Sequence, residues 1–160
     1  MGLWLFITWM ELLLIVAGLE IMPPQIIMIL EDNADRIRGF ESAVSSLGPT
    51  YRLHLWNDAP TMMRECLPLL PDTCLISLDH DLNPMPGATS DPGTGLEVAA
   101  LLGCQPPVCP AIIHTSNAER RWSMHNEFRF GKWQVEIVPP VDEAWIERSW
   151  LPKARSLLGI

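Results

Sequence analysis

The sequence predicts an α/β fold: a doubly wound, five-stranded parallel sheet with helices on both faces. Three observations point to it. From Gln25 onward, short apolar runs alternate with amphipathic stretches. The runs QIIMIL, TCLISL and AIIHTS are almost continuously apolar, as strands covered on both faces must be. Ionisable residues collect where these runs end, which is where doubly wound sheets place their chemistry.

The elements follow in order. QIIMIL (25–30) is a buried strand closed by Glu31 and Asp32. In ADRIRGFESAVSSL, the residues Ile37, Phe40, Val44 and Leu47 fall at helical spacing. Asn33 can cap this helix, and Gly48-Pro49 ends it. YRLHLW (51–56) alternates and reads as a half-buried edge strand. Asp58 caps the next helix, with Pro60 in its first turn and an apolar face in TMMRECLPLL.

TCLISL (73–78) is the third strand, followed by a Pro-, Gly-, Ser- and Asp-rich loop from 79 to about 93. TGLEVAALLG is a short helix and AIIHTS (111–116) the fourth strand. NAERRWSMHNEFRF is helical, and WQVEIV (133–138) is the fifth strand, stopped by Pro139-Pro140. DEAWIERSWLPKARSLL is the last helix, bent or interrupted at Pro152. Trp145 and Trp150 lie five apart on it, so they need not share one face.

With 160 residues the chain is long enough for one domain with a full core. Its 19 acidic and 11 basic residues give a net charge of −8, which argues against tracking an extended nucleic-acid backbone. A small anion or one phosphate-bearing RNA end, held by a local arginine or a metal, remains compatible with that charge. Cys66, Cys74, Cys104 and Cys109 form no C-x-x-C pair and read as reduced thiols of a cytoplasmic protein.

Residues 1–22 stand apart from the domain over 23–160. GLWLFITWM and LLLIVAGL are apolar, and the first basic residue is Arg36, so no positive region precedes them. Three readings fit: a membrane anchor through residues 3–19, a helix packed on the domain or a partner, or an overextended start before Met22.

If strands one and three are neighbours, as in the flavodoxin-like order 2-1-3-4-5, then Glu31, Asp32 and Asp79 meet at one edge. Like charges that close raise one another's pKa. A hard divalent cation such as Mg²⁺ (or Mn²⁺) relieves the repulsion with oxygen ligands.

LEDN after strand one, SLDHDL ending strand three, the helix TGLEVA and IIHTSN at strand four resemble the receiver domains of response regulators. They are most similar to the cyclic-phosphate-processing receiver branch, over roughly Gln25 to the C-terminus. The resemblance implies a flavodoxin/receiver-like fold, Glu31 and Asp32 as metal ligands, and Asp79 as the phosphoacceptor position and a further ligand. It places Thr115 or Ser116 where receivers carry a switch hydroxyl. Two features depart from ordinary receivers. Val138-Pro139-Pro140 stands where their Lys-Pro pair ends strand five, and His80 and Asp81 follow Asp79.

The residues suit cyclic-phosphate chemistry. Opening a 2′,3′-cyclic phosphate of the kind met in RNA repair needs a base, an acid and positive charge for the developing anion. His80 and His114 titrate near neutrality, and Asp81 can orient a histidine. Arg120 and Arg121 can clamp phosphate, and the helix start at Asn117 favours an anion. The alternatives are a signalling receiver phosphorylated on Asp79, or a non-catalytic interaction module derived from one.

Overall fold

The computed structural model describes residues 25–84, 86–87 and 89–160. The strands are β1 (Gln25–Leu30), β2 (Tyr51–Trp56), β3 (Thr73–Leu78), β4 (Ala111–Ile113) and β5 (Val135–Ile137). All pair in parallel, in the order β2-β1-β3-β4-β5. This is the expected doubly wound sheet, with β2 on an edge.

Among the described residues five α-helices surround it: α1 (Ala34–Ser45), α2 (Ala59–Glu65), α3 (Gly95–Gly103), α4 (Ala118–Phe130) and α5 (Leu151–Leu158). The caps fall on the residues the sequence singles out. Asn33 Oδ1 accepts from the Asp35 and Arg36 N–H groups, Asp58 Oδ1 from Thr61, and Asn117 Oδ1 from Arg120. Thr94 and Glu97 close a reciprocal capping box on α3.

Strand parity sorts the core into two layers. Met28, Leu30, Ile76, Leu78 and Ile113 face Met62, Val98, Leu102 and Phe128 of α2, α3 and α4. Ile27, Ile29, Leu75 and Ile112 face Phe40 and Val44 of α1, together with Trp145, Trp150 and Ala154. Burial pushes the Cys74 thiol up to about 11 and the Cys109 thiol to about 12, and all four cysteines are free. Among the described residues no helix is long and apolar enough to cross a membrane. The apolar stretch over 1–22 lies outside them.

Four elements depart from expectation, each for a local reason. The helix expected through TMMRECLPLL stops at Glu65, and Leu67–Asp72 continues as a 3₁₀ helix. Pro68 and Pro71 lack the N–H that α-helical pairing requires. The β4 ladder ends at Ile113, not Ser116, because the chain turns into the Asn117 cap. The β5 ladder covers only Val135–Ile137, the length over which β4 offers partners.

The fourth departure is in the last helix, where Pro152 does not bend an α-helix. A π-helical turn over Ile146–Trp150 precedes α5, with the Leu151 N–H donating to the Ile146 carbonyl. The wider turn brings Trp145 and Trp150 to one face after all. Their rings lie 5.7 and 4.9 Å from that of Phe40.

Gly95 fixes how α3 meets the end of β3. Its N–H donates to the His80 carbonyl at 3.1 Å, and a Cβ there would stand 1.8 Å from the Asp79 carbonyl oxygen. Backbone cannot yield as a flexible side chain would. Gly95→Ala is therefore expected to destabilise the domain by roughly 1–3 kcal/mol in urea unfolding, a typical cost of forced overpacking. A loss below about 0.5 kcal/mol, the size of an ordinary surface effect, would show that α3 docks less tightly than this contact requires.

Candidate functional site

Three strand ends lie in line. Leu30 pairs with Leu78, and Leu78 with Ile113. The ladder runs one residue further: the Asp79 N–H donates to the Leu30 carbonyl and the His114 N–H to the Leu78 carbonyl, each at 3.0 Å. Glu31, Asp79 and His114 thus form one row across adjacent strands. They share the parity of Ile29, Ser77 and Ile112, so their side chains turn to the α1 side of the sheet.

The row is closed from solvent, with Glu31 and His114 at 0% exposure and Asp79 at 3%. Glu31 Oε1 accepts from the Asp32 and Asn33 N–H groups at 3.0 and 2.9 Å. Its Oε2 stands 3.4 Å from His114 Nε2 and 3.6 Å from an Arg36 guanidinium nitrogen. The same nitrogen donates to Asp79 Oδ2 at 2.9 Å, and Asp79 Oδ1 accepts from the His80 N–H at 2.6 Å. Glu31, Asp79 and His114 each offer one ligand atom to a common point, all within 4.8 Å of one another. Among the described residues, Glu31 Oε2 and His114 Nε2 have no hydrogen-bond partner.

His114 is held from behind. Its Nδ1 lies 2.7 Å from Ser77 Oγ, and that oxygen accepts the Trp150 indole N–H at 2.9 Å. Phe40 and Trp145 lie 5.1 and 5.6 Å from the imidazole, ring centre to ring centre. The ring cannot turn, so Nε2 stays aimed at the carboxylates.

His80 sits one residue past Asp79 and therefore turns to the opposite face. Its Nε2 lies 3.6 Å from Asp81 Oδ1, and Asp81 Oδ1 is 3.4 Å from the Asn117 amide nitrogen, which donates to it. Burial lowers the His80 pKa. Asp81 acts upward against that, and Arg120 adds to the lowering. Its Nδ1 is buried without a partner among the described residues. A second cluster of His80, Asp81, Asn117 and Arg120 thus lies across the sheet edge from the first.

The remaining sequence candidates find other work. Asp32 turns from Glu31 and accepts from the Asn83 backbone and side-chain nitrogens at 2.8 and 2.9 Å. Thr115 is buried, and its hydroxyl oxygen accepts from the Asn117 N–H at 3.2 Å, while Ser116 is exposed. Arg121 donates to the Thr115 and Ser116 carbonyls at 3.1 and 3.4 Å, whereas the Arg120 guanidinium has no hydrogen bond or ion pair among the described residues.

Two site residues escaped the sequence reading. Arg36 carries a basic charge in the first turn of α1, where the helix dipole disfavours one, and that misfit was the available signal. Ser77 shares the parity of Asp79 inside an otherwise apolar run. Arg36 also lines an open groove of about 800 Å³ between α1 and the chain after β5, beside Asn33, Gly39, Val141 and Trp145.

The two carboxylates respond oppositely to this setting. For Asp79, burial is the strongest influence and raises the pKa. Glu31 adds to the rise, and His114, the His80 N–H and Arg36 only partly offset it. For Glu31, burial again acts upward. The His114 imidazole, the Asn33 N–H and Arg36 together outweigh it and hold the carboxyl below its ordinary value.

Stability should follow these signs in metal-free buffer. A raised Asp79 favours folding below the ordinary aspartate range, and that contribution is lost as pH climbs through its raised value. Asp79→Asn should therefore raise Tm at pH 7, with the gain shrinking as pH falls through the raised Asp79 value toward the ordinary aspartate range. A lowered Glu31 stabilises above the ordinary glutamate range and loses that effect as pH falls through its depressed value. Glu31→Gln should lower Tm at pH 7. Thermal melts from pH 3 to 8 check both; equal shifts for the two variants would refute the asymmetry.

Comparison with known proteins agrees with this architecture. The sequence model of the cyclic-phosphate processing receiver domain matches residues 28–130. No curated protein matches the chain by sequence. A response regulator receiver domain from Rhodospirillum rubrum superposes with a TM-score of 0.60 at 17% identity, covering 84% of this chain and 94% of its own. The phosphorylated cyanobacterial phytochrome response regulator RcpA superposes at 0.65 and 16% identity, with the same coverage of 84% and 94%. The response regulator domain of Thermotoga maritima CheB gives 0.57 at 14% identity, covering 85% and 97%. The family match spans well over half of the chain, and the sheet order is that of a receiver. The chain belongs to the cyclic-phosphate processing receiver domain family.

Proposed function

We propose that this receiver domain binds or processes a cyclic or terminal phosphate, of the RNA 2′,3′-cyclic phosphate type, with a divalent cation. The observation that carries the reading is the convergence of Glu31, Asp79 and His114. Two buried ligand atoms there, Glu31 Oε2 and His114 Nε2, have no hydrogen-bond partner among the described residues. Buried polar atoms are rarely left so, because each costs about 1–3 kcal/mol of desolvation. A divalent cation satisfies them, with Glu31 and Asp79 as oxygen ligands, while Asp32 faces away and bonds Asn83 instead. When bound, such an ion polarises a phosphoryl oxygen and acidifies a bound water.

The chain's own groups supply the rest. Burial lowers the His80 pKa and favours its neutral form. Its Nδ1 is buried, so Nε2, on the Asp81 side, is the nitrogen placed to take a proton. Arg120, beside His80, is the cation that can hold a non-bridging phosphate oxygen. Arg121 is occupied by carbonyls and takes no part. His114, in the row but fully buried under Phe40 and Trp145, is out of reach of a phosphate in this arrangement.

The test uses the whole chain with 2′,3′-cyclic nucleotides and oligonucleotides ending in that group, with Mg²⁺ or Mn²⁺. Binding is followed by calorimetry and opening by phosphorus NMR. Metal-dependent binding or opening is expected. Where the ring opens, His80→Gln should slow it by about 10²-fold or more, the usual contribution of a general base. Arg120→Ala should weaken binding by about tenfold, the loss of one charge-assisted contact. Absence of both binding and opening removes the reading. A spectral response to beryllofluoride that needs Asp79 would instead favour an aspartyl-phosphate receiver.

A further inference from the structure

Receivers that hold Mg²⁺ on carboxylates alone present oxygen to the ion, but the third ligand atom here is an imidazole nitrogen. We infer that His114 Nε2 is a direct ligand and that the Glu31–Asp79–His114 site selects a first-row transition dication over Mg²⁺. The inference rests on the metal reading above and deepens it by naming the class of ion.

Geometry favours ligation over a plain packing role. A histidine packed against Phe40 and Trp145 could satisfy both ring nitrogens inside the fold, yet only Nδ1 has a partner among the described residues. That partner, Ser77 Oγ, already accepts from the Trp150 indole. When a metal ion binds, the tautomer with Nδ1–H donating to Ser77 frees the Nε2 lone pair on the carboxylate side. Metal-bound histidines are held in this way, with the second ring nitrogen donating to a fixed acceptor. Nitrogen ligands favour later first-row ions, whereas Mg²⁺ keeps oxygen and water and dehydrates reluctantly.

Arg36 is the competitor. Its guanidinium lies 2.9 Å from Asp79 Oδ2 and 3.6 Å from Glu31 Oε2, where it supplies the positive charge the carboxylates need. A metal ion takes that place only if Arg36 swings out. The groove it lines gives it room, and the acidic Asp142, Glu143 and Glu147 line the same groove. Removing Arg36 therefore strengthens metal binding, the opposite of what loss of a purely structural ion pair would do.

The experiment titrates the metal-free chain with Mg²⁺, Mn²⁺ and Zn²⁺, read by tryptophan fluorescence. Trp145 stacks on the imidazole and Trp150 bonds its support. Mn²⁺ and Zn²⁺ should bind at least about tenfold tighter than Mg²⁺, in line with a nitrogen donor. Ser77→Ala should cost Mn²⁺ affinity about 10–100-fold, as losing the support of a ligating histidine does. Arg36→Met should tighten it.

Pulsed EPR of the Mn²⁺-bound wild-type chain needs no variant to fold and should show ¹⁴N coupling from the imidazole. Mn²⁺ bound without ¹⁴N coupling, and no tighter than Mg²⁺, overturns His114 as a ligand and leaves the phosphate reading standing. If no dication binds either the wild type or Arg36→Met, the inference and the metal part of that reading fall together. Phosphate binding that persists without metal would then survive alone.

Discussion

Everything at the site depends on the ladder that runs one residue past the strands. The hydrogen bonds from Asp79 to Leu30 and from His114 to Leu78 hold three strand ends level. Adjacent strands lie about 4.8 Å apart, so residues in one row have no freedom to separate. Two carboxylates and an imidazole are thereby forced together behind the sheet edge. A slip of one residue in any strand would turn its polar group to the opposite face.

That enforced proximity explains the electrostatics. Glu31 has two backbone N–H donors and the imidazole beside it, so it carries the negative charge. Asp79 has a single backbone donor and Arg36, and buried next to Glu31 it resists ionising. The asymmetry assigns different roles to two acids a few ångströms apart. Arg36 bridges both and acts as the resident cation of the closed site.

The same parity splits the chemistry of SLDHDL. Asp79 belongs to the row beneath α1, while His80 turns to the α3 and α4 side and meets Asp81, Asn117 and Arg120. The sequence showed both histidines and the acids, and alternation along a strand already predicted that Asp79 and His80 would diverge. It did not show which histidine would meet the carboxylates, since that depends on the register between β3 and β4. Arg36 was hidden because a helix-borne arginine looks like an ordinary solvated charge. Asp32 looked equivalent to Glu31, but neighbours in a strand face opposite ways, and Asn83 takes its carboxylate.

The sequence by itself determined the number and kind of the strands along the chain, the helix starts at Asn33, Asp58 and Asn117, and the polar strand ends. These are local properties, written in apolar periodicity and in side chains that satisfy nearby backbone groups. Only the tertiary structure decided that Trp145 and Trp150 share a face, because Pro152 and the packing on Phe40 favour a π-helical turn. It also decided that His114 is buried with Nε2 aimed at Glu31, that Arg36 closes the site, and that Arg121 is spent on carbonyls. Each of these rests on contacts between segments far apart in the chain, and no local pattern encodes which distant side chain will fill a given space.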